Sequence, residues 1–469
     1  MKDERARAKP HGPSPECEFD SERVTVSPTG ADIGGLDDGL EPAAPLAGPA
    51  SHAAPADASR SGNQPATAHM RILFLSPELP YPPSWGYSIR ISQFLTLLAR
   101  KHSVALLTYA APGDETKADA LAQTSGAVVH TVRGGELGQK RLGQLTSLLS
   151  KRSYQGRYLY SDAMQRKLDD LCAGQAFDII QVETSQMLAF RFDPRSAVVL
   201  AEHDIVYELL GRIAVAERTL LRRVYNSAEA RKYKREEIER WKIAAACVMT
   251  SEREVPIVRR AGVTAPILTA PNGVDVDYFA PTDVVPDPNT LVMTGLMRTR
   301  PNIDAAVFFV KHILPGILAH RPNVKMYVVG GDPPEEVTRL ASDHVIVTGG
   351  VPDVRPYVGN ASVVVVPLRM GGGTRLKVVE GLSMKKPMVS TALGCEGIDV
   401  KHEEHLLIAD EPAAFAGAVL RLMDEPTLGA TLAQNGHALV LRRYRWESVT
   451  KQLEALYADL VETRRHAPA

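Results

Sequence analysis

From Met70 onward, short β-branched runs bounded by turn residues alternate with segments of helical period, and the alternation runs through twice. The first set of runs is 71–76, 103–109, 127–132, 178–183, 197–202 and 246–250; the second is 290–294, 325–330, 344–347, 362–367, 387–391 and 405–408. Between them apolar residues recur at helical spacing, as at Ile91, Phe94, Leu95 and Leu98. A strand followed by a helix and another strand closes a right-handed parallel unit, with helices covering both sheet faces. Two doubly wound α/β domains therefore follow, divided at the stretch Pro281-Thr-Asp-Val-Val-Pro-Asp-Pro288. The predicted boundaries are 70–280 and 281–445, with a last helix in 446–469 packing back towards the first domain. In open α/β sheets ligands sit at the carboxyl ends of the strands, so the cleft between the domains is the expected site.

Residues 1–69 read differently. They hold nine prolines, seven glycines and thirteen alanines, with six basic against eleven acidic residues. Such a composition cannot bury enough apolar surface to offset its ordering entropy. The expectation is a disordered extension, either a flexible tail or sequence upstream of a true start at Met70. No apolar stretch follows its basic start, so it does not read as a secretory signal.

Charge and cysteine usage exclude several classes. The formal net charge of −1 argues against a generally basic nucleic-acid binder. Cys17, Cys172, Cys247 and Cys395 lack C-x-x-C spacing, which fits neither a disulfide framework nor a zinc site and makes a reducing cytoplasmic compartment the default. The longest apolar runs, such as Val363 to Val366, fall far short of the ~18 residues that span a bilayer.

The loops after the strands carry the candidate chemistry. The first strand leads into Pro80-Tyr-Pro-Pro-Ser-Trp-Gly86-Tyr-Ser-Ile-Arg90, where Gly86 would let backbone approach a ligand; an ordinary proline-rich loop is the alternative. The run 197–202 ends in Glu202-His203, which places a histidine at a strand's carboxyl end, where it serves either the cleft or the core. Val366-Pro-Leu-Arg-Met-Gly371-Gly-Gly-Thr-Arg375-Leu-Lys377-Val-Val-Glu380 reads as strand, glycine turn and helix start. Gly371, Gly372, Gly373 and Thr374 would present N–H groups, the helix start adds its positive dipole end, and Arg375 and Lys377 add full charges. That combination suits a diphosphate, and Glu380 is placed to accept ribose hydroxyls; a buried or solvated helix glutamate is the alternative. Neither G-x-x-x-x-G-K-[ST] nor G-x-G-x-x-G is present, so P-loop hydrolysis and classical dinucleotide binding both lose ground.

These segments together resemble the GT-B glycosyltransferases of family 4, the group 1 type. The resemblance covers Met70 almost to the C-terminus and includes the loop ending at Arg90, Glu202-His203, Asn272-Gly-Val-Asp275, the Gly371-to-Glu380 helix start, and Gly394-Cys-Glu-Gly397. It implies two Rossmann-like domains facing across a cleft, a nucleotide-sugar donor on the second, and a glycan or polyprenyl-linked acceptor mainly on the first. It also implies retention of anomeric configuration without a metal or other cofactor. His203 is then the expected catalytic cleft residue, and Gly86, Arg90 and Glu202 the acceptor or cleft residues. Two departures stand out. Gly372 occupies the position of the family's first glutamate, and Leu296 and Pro301 stand where an arginine and a lysine are usual. Arg298 and Arg300, with Arg375 and Lys377, are the expected replacements at the phosphates. Asp275-Val-Asp277 lies in the interdomain turn and is not read as a metal site.

Two further readings stay open. A nucleotide-sugar epimerase or a non-catalytic nucleotide-sugar-binding protein would share the architecture. Arg222 to Lys242 holds eight basic and four acidic residues with Tyr225, Tyr233, Ile238 and Trp241 interspersed. It is either a peripheral contact for an anionic membrane or a solvated helix with pairs such as Glu236 and Arg240.

Overall fold

The computed structural model describes residues 69–83, 86–134, 147, 150–154, 156, 157, 159–216, 219–370 and 375–466. The expectations for residues 1–68 and for Gly371–Thr374 lie outside that set. Gly62–Ala469 makes up one compact unit. Seven parallel strands form the first sheet: β1 Arg71–Ser76, β2 Ser103–Ala110, β3 Val128–Arg133, β4 Ile179–Glu183, β5 Ala197–Ala201, β6 Ala246–Met249 and β7 Ile267–Thr269, in the order β3-β2-β1-β4-β5-β6-β7. Six more form the second: β8 Asp287–Thr294, β9 Lys325–Val329, β10 Val345–Gly349, β11 Ala361–Val366, β12 Met388–Ser390 and β13 Leu407–Ile408, in the order β10-β9-β8-β11-β12-β13. Each sheet reverses its strand order between its first and fourth strands, the crevice at which doubly wound folds bind ligands.

Burial explains the runs. β4 is buried along its whole length, and β11 nearly so, as strands covered by helices on both faces must be. Both faces of the first sheet have their own apolar layer. Ile72 and Phe74 pack on one side of β1, Leu73 and Leu75 on the other, which is the period of two expected along a strand.

Six helices position the cleft: α1 Gly86–Ala99, α2 Val206–Ala216, α3 Leu220–Ile243, α4 Arg300–Phe308, α5 Leu376–Ser383 and α6 Trp446–His466. α6 leaves the second lobe and packs against α1 of the first. Trp446 meets Phe94 edge-on at 5.7 Å between ring centroids, and Lys101 pairs with Glu454 at 2.9 Å. The lobes are tied beside this crossing by a bridge from Val274 to Arg445. Arg253 also reaches from Glu208 (2.8 Å) to Glu396 (3.5 Å) beside an interlobe cavity of about 190 Å³.

The crossing depends on Gly273, where a Cβ would lie 2.5 Å from the Trp446 ring. Trp446 is buried between α1 and this turn and has nowhere to retreat. Gly273→Ala is expected to destabilise the protein by about 2 kcal/mol through overpacking, read as a lower Tm in thermal unfolding.

α3 divides its basic sequence between a buried face and exposed ends. Glu229, Tyr233, Glu237 and Trp241, spaced four apart, form its buried face. The Tyr233 hydroxyl meets Ser185 Oγ at 2.8 Å, and Glu237 accepts from the Val206 and Tyr207 amides at 3.0 and 2.9 Å, capping α2. Tyr233 and Trp241 are therefore core residues and not membrane anchors. Glu236 and Arg240 approach within 3.9 Å. The exposed apolar side chains of α3 are Leu220, Leu221 and Val224 at its start and Ile243 at its end.

Candidate active site

The second lobe brings its strand ends together through backbone contact. Gly330, which follows β9 at φ 156°, lies so close to Gly295, which follows β8, that a Cβ on it would stand 1.7 Å from the Gly295 carbonyl oxygen. Only glycine fits there. Gly295 in turn borders α5: a Cβ on it would lie 2.8 Å from Lys377 Nζ. Lys377 donates to Asn302 Oδ1 at 2.6 Å, and Asn302 Nδ2 donates to the Leu296 carbonyl at 2.9 Å. The loop after β8 is thereby fastened to the first turn of α5.

Three ionisable groups of the expected donor site share this helix start. Burial lowers the Lys377 ammonium to about 8, with neighbouring Glu380 opposing the shift. Burial raises the Glu380 carboxyl to about 7, with Lys377 opposing it. Arg375 is 7 % exposed, and its Nε donates to the Leu393 carbonyl at 3.3 Å, tying α5 to the loop after β12. A lysine whose charge is destabilised by burial is poised to gain from an incoming anion.

Arg298 and Arg300 lie on the loop after β8 and at the start of α4. Arg298 is largely exposed and pairs with Asp332 at 3.4 Å, and Arg300 is exposed at the start of α4. Among the described residues neither bonds to Lys377, Asn302 or Glu380. A pair as open to solvent as Arg298 and Asp332 contributes little to stability. Asn302, unflagged by sequence, is the group that engages Lys377; Pro301 at the first turn of α4 seats it there.

Across the cleft, α1 begins at Gly86, where a Cβ would stand 3.7 Å from Asn272 Nδ2 and 3.8 Å from Leu376 Cδ1. Leu376 is the first residue of α5. The first residues of two helices, one from each lobe, therefore lie close together, and a helix N-terminus carries the positive end of its dipole.

His203 follows β5 with its side chain 10 % exposed, and its Nε2 lies 2.7 Å from Glu183 Oε2 at the end of β4. Tyr87 of α1 covers the imidazole with ring centroids 4.5 Å apart, and the Tyr87 hydroxyl meets Ser76 Oγ at 2.7 Å. Burial lowers the His203 pKa, an effect opposed by Glu183 and reinforced by Arg90. Burial thus favours the neutral ring. Glu78, in the loop after β1, is raised to about 7 by burial.

Two expected cleft residues prove to be interior. Arg90 is fully buried; its Nη1 donates to the Ala270 carbonyl (2.7 Å) and Asn272 Oδ1 (3.2 Å), and its guanidinium lies 4.8 Å from the Phe94 ring centroid. One helical turn separates Arg90 from the tip of α1, so it lies beneath the helix and braces the interlobe segment. Glu202 is 1 % exposed and accepts from Trp241 Nε1 at 2.9 Å and the Ser185 amide at 3.2 Å. Consecutive residues alternate across a sheet, so Glu202 faces α3 and His203 faces α1. Asp275 Oδ1 accepts from the Asp277 and Tyr278 amides at 3.1 and 2.9 Å, an Asx turn.

Comparison with known proteins accords with this geometry. Residues 288–425 match the family model for glycosyl transferases group 1. The chain has the GT-B fold, and the match lies in its second lobe. Sucrose-phosphate synthase from Thermosynechococcus elongatus is similar with a TM-score of 0.59 and 19% identity, over 84% of this chain and 100% of that one. HepE from Anabaena, solved in complex with UDP, is similar with a TM-score of 0.59 and 17% identity, over 83% of this chain and 100% of that one. An uncharacterized 44.6 kDa protein in the cps region of Klebsiella pneumoniae is 20% identical over 152 residues, 30% of this chain and 39% of that protein.

Proposed function

We propose that this GT-B protein is a retaining hexosyltransferase. It moves a sugar from a nucleoside-diphosphate sugar to a glycan or lipid-linked acceptor in the assembly of a cell-surface polysaccharide. The observation that carries the reading is the meeting of the α1 and α5 N-termini beside Lys377. As the anomeric C–O bond lengthens, negative charge grows on the leaving diphosphate. Dipole ends and a desolvated ammonium already placed there stabilise it without reorganisation. Arg375 adds a second cation, and Glu380 accepts the ribose hydroxyls. His203, braced by Glu183, takes a hydroxyl of the sugar or acceptor. Attack on the face the diphosphate leaves, with that phosphate accepting the acceptor's proton, retains the configuration.

UDP in the related HepE structure supports a nucleotide donor of this kind, and the cps-region relative supports a polysaccharide pathway. Among the described residues no helix is long and apolar enough to cross a membrane. Exposed Leu220, Leu221 and Val224, beside Arg222 and Arg223, suit a cytoplasmic enzyme that meets a lipid-linked acceptor at an anionic membrane surface.

Thermal-shift screening of UDP-, GDP- and dTDP-sugars, followed by product analysis with and without polyprenyl-phosphate-linked and free glycan acceptors, tests the reading. An acceptor-dependent product with the donor's anomeric configuration is expected. Isomerised donor without acceptor would mean an epimerase, and binding without any product a nucleotide-sugar-binding protein. Flotation with phosphatidylglycerol vesicles is expected to carry the protein and to lose it in Leu220→Ser/Leu221→Ser; unchanged flotation of the variant would remove this surface from the proposal.

A further inference from the structure

A buried polar chain joins His203 to the last helix. Gln181 and Glu183 stand two apart on β4 and so share a sheet face, and both are fully buried. Gln181 Nε2 donates to Glu183 Oε1 at 2.6 Å, and Glu183 Oε2 lies 2.7 Å from His203 Nε2. At the other end the Tyr457 hydroxyl of α6, also fully buried, donates to Gln181 Oε1.

The order of donors along this chain is set by elementary chemistry. A carboxylate offers only lone pairs, so Gln181 must turn its amide nitrogen towards Glu183 and its oxygen towards Tyr457. A flipped carboxamide would set oxygen against oxygen beside Glu183 and leave a buried donor facing a phenol. Tyr457 removes that alternative by supplying a hydrogen to the oxygen. With its second oxygen, Glu183 then takes the hydrogen of His203 Nε2, which leaves Nδ1 as a lone pair for a substrate hydroxyl. Apart from Glu183, the charged and titratable groups bearing on the imidazole are Tyr87, packed on its face, and Arg90.

Resting on the assignment of His203 to the reaction, we propose that Tyr457 and Gln181 are positioning residues that hold His203 in its Nε2–H tautomer through Glu183. α6 enters the first lobe directly from the Trp446 crossing, so the terminal segment of the second lobe supplies part of the first lobe's catalytic order. Neither residue touches substrate. The role is to keep one imidazole nitrogen in one state.

The test uses the full chain with ¹⁵N-labelled histidine, without ligand, in wild type, Tyr457→Phe and Gln181→Met. His203→Ala identifies the resonance. Both substitutions preserve side-chain volume closely, and two of them guard against loss of folding in either one. The wild-type spectrum is expected to show the Nε2–H pattern for His203, and each variant a mixture of tautomers. Turnover of the best donor from the screen is expected to fall about tenfold in kcat with UDP affinity unchanged. Wild-type tautomer and wild-type kcat in both folded variants would overturn the proposal. If His203→Ala itself retained full turnover, the catalytic assignment of His203 would fall, while the tautomer spectra would still decide whether the chain sets the imidazole.

Discussion

Lys377→Met is expected to weaken binding of UDP or the selected nucleoside diphosphate by roughly a hundredfold, with little change in Tm. The lysine donates to Asn302 near the start of α5 with the charge of Glu380 nearby, and burial has already lowered it to about 8. Losing one member of a desolvated, hydrogen-bonded charge pair costs about 3 kcal/mol, which is about a hundredfold in affinity. Methionine keeps the stem that packs beside Gly295 and removes only the ammonium. The pH dependence has a definite sign. Lys377 is charged below about 8 and loses its proton above, whereas Glu380 is ionised above about 7 and protonated below. Affinity is therefore greatest between about 7 and 8 and declines on both sides. A bound diphosphate raises the lysine's proton affinity, so binding just above pH 8 takes up a proton. Calorimetry in buffers of differing ionisation enthalpy reads that uptake directly. Its persistence in Lys377→Met would assign the proton to another group.

His203→Ala is expected to lower kcat about a hundredfold while UDP affinity stays within about twofold, the split produced by a group that acts on the reacting end and not on the nucleotide. Glu183→Gln should fall between this variant and wild type, because a glutamine still accepts from Nε2 but no longer carries the charge that orients and stabilises the ring. Burial lowers the His203 pKa, so activity that needs a neutral imidazole is expected to extend to lower pH than an ordinary histidine would allow. Initial rates at saturating donor, with UDP titrations alongside, separate the two effects. A His203→Ala enzyme with wild-type kcat would remove the residue from the reaction.

The architecture was legible because strand and helix periods differ and each lobe repeats the same alternation. The twelve runs read from sequence all became strands, with ends shifted by up to three residues. β7 escaped because Ile267–Thr269 is too short to show a period and is not fully buried. The site was less legible. Glu202 and His203 are neighbours with similar chemistry, and nothing in their order says which one faces α1; register against Trp241 decides it. Arg90 reads as a cleft cation in a loop motif, yet one helical turn carries it into the interior. The signal for Glu183 was present as two polar residues at spacing two in an otherwise apolar strand, Ile179-Ile-Gln-Val-Glu183. Asn302 had no comparable mark, because its importance comes from where Lys377 ends, 75 positions away.

By itself the sequence determined the number of sheets and their parallel sense, since these follow from local periodicity. The tertiary structure alone decided which charges are buried, which partner each one has and which helix ends converge. It places Tyr457 beside Gln181, 276 positions apart, and brings Leu376 against Gly86. Desolvation and hydrogen bonding act through space over a few ångströms, and chain order carries no information about that distance until the lobes have folded together.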